Sequence, residues 1–237
     1  MMRFELSPKP PCFDEEVRAP GDAWLRANPQ ARSGQFPDYW TRVLPDLRAG
    51  FRDLCGYSAM LTMRATVDHY LSRSSEEGRA LAYEWTNYRL ADHYVNTLKG
   101  TWDRRILDPF EVGDDWFEVL LPNLEMILVE ERIPPTRLAD ARFTLRQLGL
   151  RDGEDILELR RAWYGQLIDG DVTLTWLSRH APLIARAVKR RLAEIKPADL
   201  DDEQTHLRRF LEGETVLKAL RRDAPRLAEV IEAALSR

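Results

Sequence analysis

Cysteine is nearly absent from this chain: Cys12 and Cys55 are the two in 237 residues, and they lie far apart. That excludes a disulfide framework and any structural zinc site built from Cys-x-x-Cys pairs. A surplus of either charge is missing as well, with 35 Lys and Arg against 39 Asp and Glu. The balance also holds locally. Residues 1–50 carry seven basic and seven acidic side chains, residues 51–110 eight of each, and residues 151–237 sixteen of each. Residues 111–150 depart from it, with four basic against eight acidic. No segment therefore has the cationic field by which a free-standing protein holds duplex nucleic acid through net charge. No apolar run approaches the ~20 residues that span a bilayer. The N-terminal Met-Met-Arg-Phe-Glu-Leu-Ser-Pro also lacks the apolar stretch of a secretory signal. The expected address is the cytoplasm, with no membrane partner. Internal repeats and low-complexity tracts are absent too.

What is there has the make-up of a soluble globular protein, 44% hydrophobic and 31% charged, and can bury one large core or two small ones. Phe4 and Leu6 alternate before Pro8, Pro10 and Pro11 interrupt regular structure. A short helix is predicted over 14–27. Pro37 can open a second, with Tyr39, Trp40, Val43, Leu44, Leu47, Phe51 and Leu54 at helical spacing and Gly56 as its stop. Met60-Leu-Thr-Met and Ala65-Thr-Val-Asp-His read as a short hairpin, 72–78 as polar loop, and 85–98 as a helix through Tyr88, Ala91, Val95 and Leu98. A strand pair is predicted around Pro122-Asn123. Helices follow at roughly 136–148, 153–168, 181–195, 201–211, 213–222 and 224–236, with Lys196-Pro-Ala-Asp-Leu-Asp-Asp as a hinge. The expected fold class is α+β and mainly helical.

Two stretches carry chemistry: Thr66-Val-Asp-His-Tyr70 and, eighteen residues past its histidine, Asn87-Tyr-Arg-Leu-Ala-Asp-His-Tyr-Val-Asn96. Cleaving a phosphodiester near neutral pH needs a base to activate water and a cation to stabilise charge on the phosphate and leaving oxygen. Histidine suits the first role, because its ordinary pKa lies near 6.5. A carboxylate with an amide oxygen suits the second, because hard divalent ions prefer oxygen. Asp68 and His69 are neighbours on a predicted strand, so they share a site only if the strand ends or bends there. Asn87 and Asn96 are two and a half helical turns apart and do not share one face of a regular helix. Periodicity alone does not assemble these four residues.

Val67-Asp-His-Tyr-Leu-Ser-Arg-Ser, Tyr83-Glu-Trp-Thr-Asn-Tyr-Arg-Leu and Val95-Asn-Thr-Leu-Lys-Gly resemble the three blocks of the HNH endonucleases. The resemblance implies a ββα-metal unit, a hairpin clasped to a helix around one Mg²⁺ or Mn²⁺, embedded in a helical protein. By that resemblance His69 is the general base, and Asn87 organises the loop that orients it. Asp68 and Asn96 are the metal ligands. Lys99, Arg73 and Arg89 are candidate substrate contacts. The positions of the family's zinc pairs hold Cys55 and Ser58, then Asp92 and Val95, so structural zinc is not expected. Packing of Trp85, Tyr88, Tyr94 and Trp102 would have to replace that scaffold.

The implied organisation is an N-terminal extension with helices over 1–54, an HNH-like unit with following strands over 55–132, and a helical region over 133–237. The implied activity is hydrolysis of DNA, with RNA left open, in a bacterial defence or mobile-element setting. A protein partner would supply targeting or ATPase function. The competing reading is an HNH-like scaffold subunit that has lost its chemistry. Other polar residues have plainer readings. His93 is a helix-face residue, His180 a helix start and His206 solvated. Lys189-Arg-Arg191 and Arg160-Arg161 are solvated helix charges, and Trp116 and Phe117 are core.

Overall fold

A computed structural model describes residues 1–195 and 203–236, so the predicted hinge at 196–202 lies outside the described residues. The described chain is mainly helical, with two small two-stranded antiparallel sheets. It divides into two compact units. Residues 1–116 and 130–148 form the first, and residues 117–129 with the described part of 149–237 form the second. This division cuts across the three expected segments, because the strand pair near Pro122 belongs with the second unit.

In the first unit a π-helical turn over Asp14–Arg18 runs into α1 (Ala19–Ala27). A 3₁₀ turn over Tyr39–Val43 precedes α2 (Leu44–Gly50). The second helix thus opens at Leu44, not Pro37, with Pro45 in its first turn, where the missing N–H costs nothing. It ends before Gly56, as Arg52 and Asp53 take positive φ. Gly56 instead lies in a close approach, where an added Cβ would meet the Phe51 ring at 2.9 Å and the Leu90 carbonyl at 3.3 Å.

Strand β1 (Ala65–His69) pairs antiparallel with β2 (Tyr88–Asp92), from Ala65 opposite Asp92 to His69 opposite Tyr88. Both expectations for this region need correction. The predicted hairpin from Met60–Met63 into β1 does not form, since Leu61 bridges back to Leu54 and Met63 is exposed. The predicted helix over 85–98 is a 3₁₀ turn (Trp85–Asn87), then β2, then α4 (His93–Lys99). Tyr88, Leu90 and Ala91 are all fully buried, and a strand buried on both faces has no period-2 signature to separate it from a helix. Asp92 marks the switch. Its carboxylate accepts from the Tyr94 N–H as the N-cap of α4, and its other oxygen accepts from Thr62.

The β1–β2 connection also holds α3 (Glu76–Ala80), capped by Ser75, where polar loop was expected. Gly78 lets that turn close, because a Cβ there would lie 2.0 Å from the Ser72 carbonyl oxygen. Tyr83 packs among Phe36, Tyr39 and Trp40, and its hydroxyl donates to the Pro37 carbonyl. Helix α5 (Pro135–Gln147) closes the unit, with Thr144 accepting from the Leu107 N–H and Gln147 donating to the Leu98 carbonyl.

In the second unit β3 (Phe117–Val119) pairs with β4 (Met126–Leu128), as predicted. The helices are α6 (Glu154–Asp169), α7 (Leu174–His180), α8 (Pro182–Ala193), α9 (Gln204–Leu211), α10 (Leu217–Asp223) and α11 (Pro225–Leu235). Helix α7 was not anticipated, and His180 ends it instead of starting the next helix. His180 stacks on Trp176 and Trp163. Arg160 is buried, not solvated: its guanidinium donates to the carbonyls of Leu124, Arg151 and Leu150. Burial pushes its pKa down to about 10. No helix among the described residues is long and apolar enough to cross a membrane.

Candidate active site

Strand β1 stays paired through its last residue, His69, opposite Tyr88, and the Asp68 and His69 side chains take separate partners. Asp68, His69 and the preceding Val67 all line one small polar cleft of about 130 Å³, together with Arg73 and Asn96. His69 is buried with its ring edge-on to Trp40 (centroids 4.7 Å apart) and to Tyr88 (5.1 Å). Its Nε2 lies 2.8 Å from the Ala82 carbonyl oxygen. A carbonyl can only accept, so Nε2 carries the proton and Nδ1 keeps the lone pair. Burial first, then the charges of Arg73 and Lys99, push the His69 pKa down to about 3, against an opposing pull from the Ala82 carbonyl. The imidazole is therefore neutral near pH 7.

Asn87 does not line the cleft. Its Oδ1 accepts from the Leu71 N–H at 2.8 Å, and its Nδ2 donates to the carbonyls of Leu71 (3.1 Å) and Leu81 (3.2 Å). The Tyr70 N–H donates to the Asn87 backbone carbonyl. One buried amide thus ties both ends of the β1–β2 connection together, next to the Ala82 carbonyl that holds His69. The Tyr88 hydroxyl donates to that same carbonyl at 2.9 Å, which fixes the acceptor from a second side.

Asp68 is buried, and both its oxygens are engaged. The Tyr57 hydroxyl donates to Oδ2, and Lys99 Nζ lies 3.0 Å from Oδ1. Burial, reinforced by the Asp68 charge, holds the Tyr57 pKa well above the usual phenol range. Asn96, on α4, donates through Nδ2 to Thr66 Oγ1 at 3.1 Å, which leaves its amide oxygen as an acceptor. Among the described residues no three His, Cys, Asp or Glu side chains converge, so a bound ion would rest on a lean donor set. Asp68 and Asn96 suit such a set. Two of the carboxylate's roughly four lone pairs remain open, and Mg²⁺ commonly binds through one or two protein oxygens plus water and phosphate. The Asp68 lone pairs that such an ion would use lie beside the Lys99 ammonium, 3.0 Å from Oδ1.

Two of the three expected substrate contacts need correction. Lys99 is fully buried, and its ammonium donates to Asp68 and to the backbone carbonyls of His69 (3.0 Å) and Tyr70 (3.1 Å). Arg89 is also buried. It forms a bidentate pair with Asp108 at 2.7 and 2.5 Å, donates to the carbonyls of Thr86 and Tyr88, and stacks on Phe110 with its guanidinium carbon 3.8 Å from the ring centroid. Neither side chain can reach a ligand in this arrangement. Arg73 alone of the three lines the cleft. His93 begins α4, exposed and away from the cleft. Of the four aromatics expected to replace the zinc scaffold, Trp85 and Tyr88 are buried, while Tyr94 and Trp102 are exposed.

Three contributors escape sequence reasoning: Tyr57, Trp40 and the Ala82 carbonyl. Tyr57 and Trp40 lie well upstream of the motif in unremarkable surroundings, and a backbone carbonyl has no residue signature. Against known proteins, no family model, curated sequence or solved structure matches this chain.

Proposed function

We propose that the protein is a metal-dependent endonuclease of the HNH type, hydrolysing phosphodiester bonds in DNA, with β1, β2 and α4 as a ββα-metal unit. The observation that carries this reading is the convergence of Asp68, His69 and Asn96 on one polar cleft, with His69 held on a backbone carbonyl through Nε2. In this reading His69 Nδ1 takes the proton of the attacking water, although burial makes the ring a weaker base than a free imidazole. Asp68 and Asn96 hold Mg²⁺ or Mn²⁺, which when bound supplies charge stabilisation at the phosphate and leaving oxygen. Asn87 is a positioning residue that keeps the connection folded so that Ala82 can orient the ring. The balanced charge of the chain favours a protein partner that supplies targeting or ATPase function, in a bacterial defence or mobile-element system.

The test is divalent-dependent nicking of supercoiled plasmid by wild type and His69→Gln, with single-stranded DNA and RNA run in parallel to decide substrate class. Loss of general-base catalysis is expected to slow nicking by about 10²–10⁴-fold, with thermal melting confirming that the variant folds. Equal nicking by His69→Gln removes the reading.

The Lys99–Asp68 pair favours a second reading, a scaffold subunit without catalysis. An ammonium 3.0 Å from Oδ1 already neutralises the carboxylate that an ion would use. Absence of Mn²⁺ binding by calorimetry, together with absence of nicking, would support it.

A further inference from the structure

We propose that segment 28–40 completes the cleft as a phosphate-binding subsite, in which Arg73, Ser33 and Ser74 hold the nucleic-acid backbone beside the bond to be cut. The proposal rests on the nuclease reading and deepens it, giving Arg73 a phosphate to hold and joining it to Ser33, which lies outside the motif. The segment is stitched onto the β1–β2 connection. Arg79 donates to the carbonyls of Ala31 (2.7 Å) and Asn28 (2.8 Å), Arg73 Nη1 donates to the Ser33 carbonyl (3.2 Å), and Ser74 Oγ donates to Ser33 Oγ (3.1 Å). Ser33, Arg73 and Ser74 all line the cleft that holds His69.

Arg73 has the features of a ligand contact. Its guanidinium has five N–H donors, and the Ser33 carbonyl engages one nitrogen. Among the described residues no carboxylate pairs with it, and Asp38 acts on it only through space. Arg18, Arg48, Arg89 and Arg142, by contrast, each meet a carboxylate. A half-buried guanidinium without a counter-anion, flanked by two hydroxyls in a polar cleft, is matched by a phosphodiester oxygen pair. The face of Trp40 lies 4.4 Å from the Arg73 guanidinium carbon, and its ring centroid is 4.7 Å from that of His69. Trp40 therefore acts as a positioning residue, fixing the distance between the anion site and the base. Recognition of this kind reads the backbone and not the base sequence.

The experiment is fluorescence anisotropy of a short labelled DNA duplex, and of a single strand of the same length, in EDTA over a range of salt. Wild type is compared with Arg73→Gln, Arg73→Lys, the Ser33→Ala/Ser74→Ala double variant and, as a control outside the cleft, Arg104→Gln. Arg73→Gln is expected to weaken binding about tenfold and to lower the salt slope by about one. Arg73→Lys should restore the slope, and the serine double variant should lose affinity about threefold with the slope kept. Unchanged affinity and slope in Arg73→Gln overturns the subsite, as does failure of wild type to bind either strand form at low salt. Because EDTA removes divalent ions, failure of the nuclease reading is seen separately. A protein that binds through Arg73 but does not nick with Mg²⁺ loses the activity and keeps the subsite.

Discussion

Lys99 is fully buried: three oxygens, from Asp68, His69 and Tyr70, surround its ammonium at 3.0–3.1 Å. Removing one partner of such a pair leaves the other charge buried without compensation. Lys99→Met is therefore expected to destabilise the protein by about 3–5 kcal/mol, measured by urea unfolding. Part of the loss should return in Lys99→Met/Asp68→Asn, where no bare carboxylate remains. The motif spelled out Asp68, His69, Asn87 and Asn96, and Lys99 and Arg89 were visible as cations beside them. What the spacing could not tell was burial. A lysine that reaches solvent and one that closes a buried pair have the same letter and the same neighbours. Trp40 and Tyr57 were out of reach for a different reason, since their contacts with His69 and Asp68 arise only once distant segments pack.

At the scale of elements, the change from strand to helix at Asp92 is the hinge on which Asn96 and Lys99 depend. Asp92 satisfies an otherwise orphaned N–H of α4 and accepts from Thr62 across the turn. Asp92→Ala is expected to cost about 1–2 kcal/mol and to raise amide exchange through His93–Lys99 before the rest of the unit, checked by hydrogen-exchange mass spectrometry. Most helices of the second unit were legible from their caps and spacing, and so was the strand pair around Pro122. β2 was not, because Tyr88, Leu90 and Ala91 are buried together and present neither alternation nor a polar stripe. The same burial made Ala65–His69 choose β2 as its partner over the nearer Met60–Met63, one end of which lies in solvent.

For the molecule as a whole, His69 links folding to acidity. In the unfolded chain the imidazole takes up a proton as pH falls through its ordinary value near 6.5; in the folded unit it does so only near pH 3. Between those values the unfolded state binds more protons, so stability present above about pH 6.5 is lost as pH falls. The slope from this one group approaches about 1.4 kcal/mol per pH unit within that window and fades below about pH 3. Urea unfolding at pH 7, 6 and 5 should show a steeper decline for wild type than for His69→Gln, which has no imidazole to protonate. Parallel declines would show that the ring is not held neutral in the folded protein.

The enclosure of Lys99 also makes it a reporter. A primary amine that meets no solvent meets no acylating reagent, so Lys99 can be modified only during excursions that open the cleft from beneath. Exposed Lys9 should be acetylated within the first pulse of acetic anhydride while Lys99 lags by orders of magnitude. Peptide mass spectrometry of that lag would time how often the Asp-His corner comes apart, without any substrate present. Asp68→Asn should shorten the lag, because the amine would then have lost its charged tether.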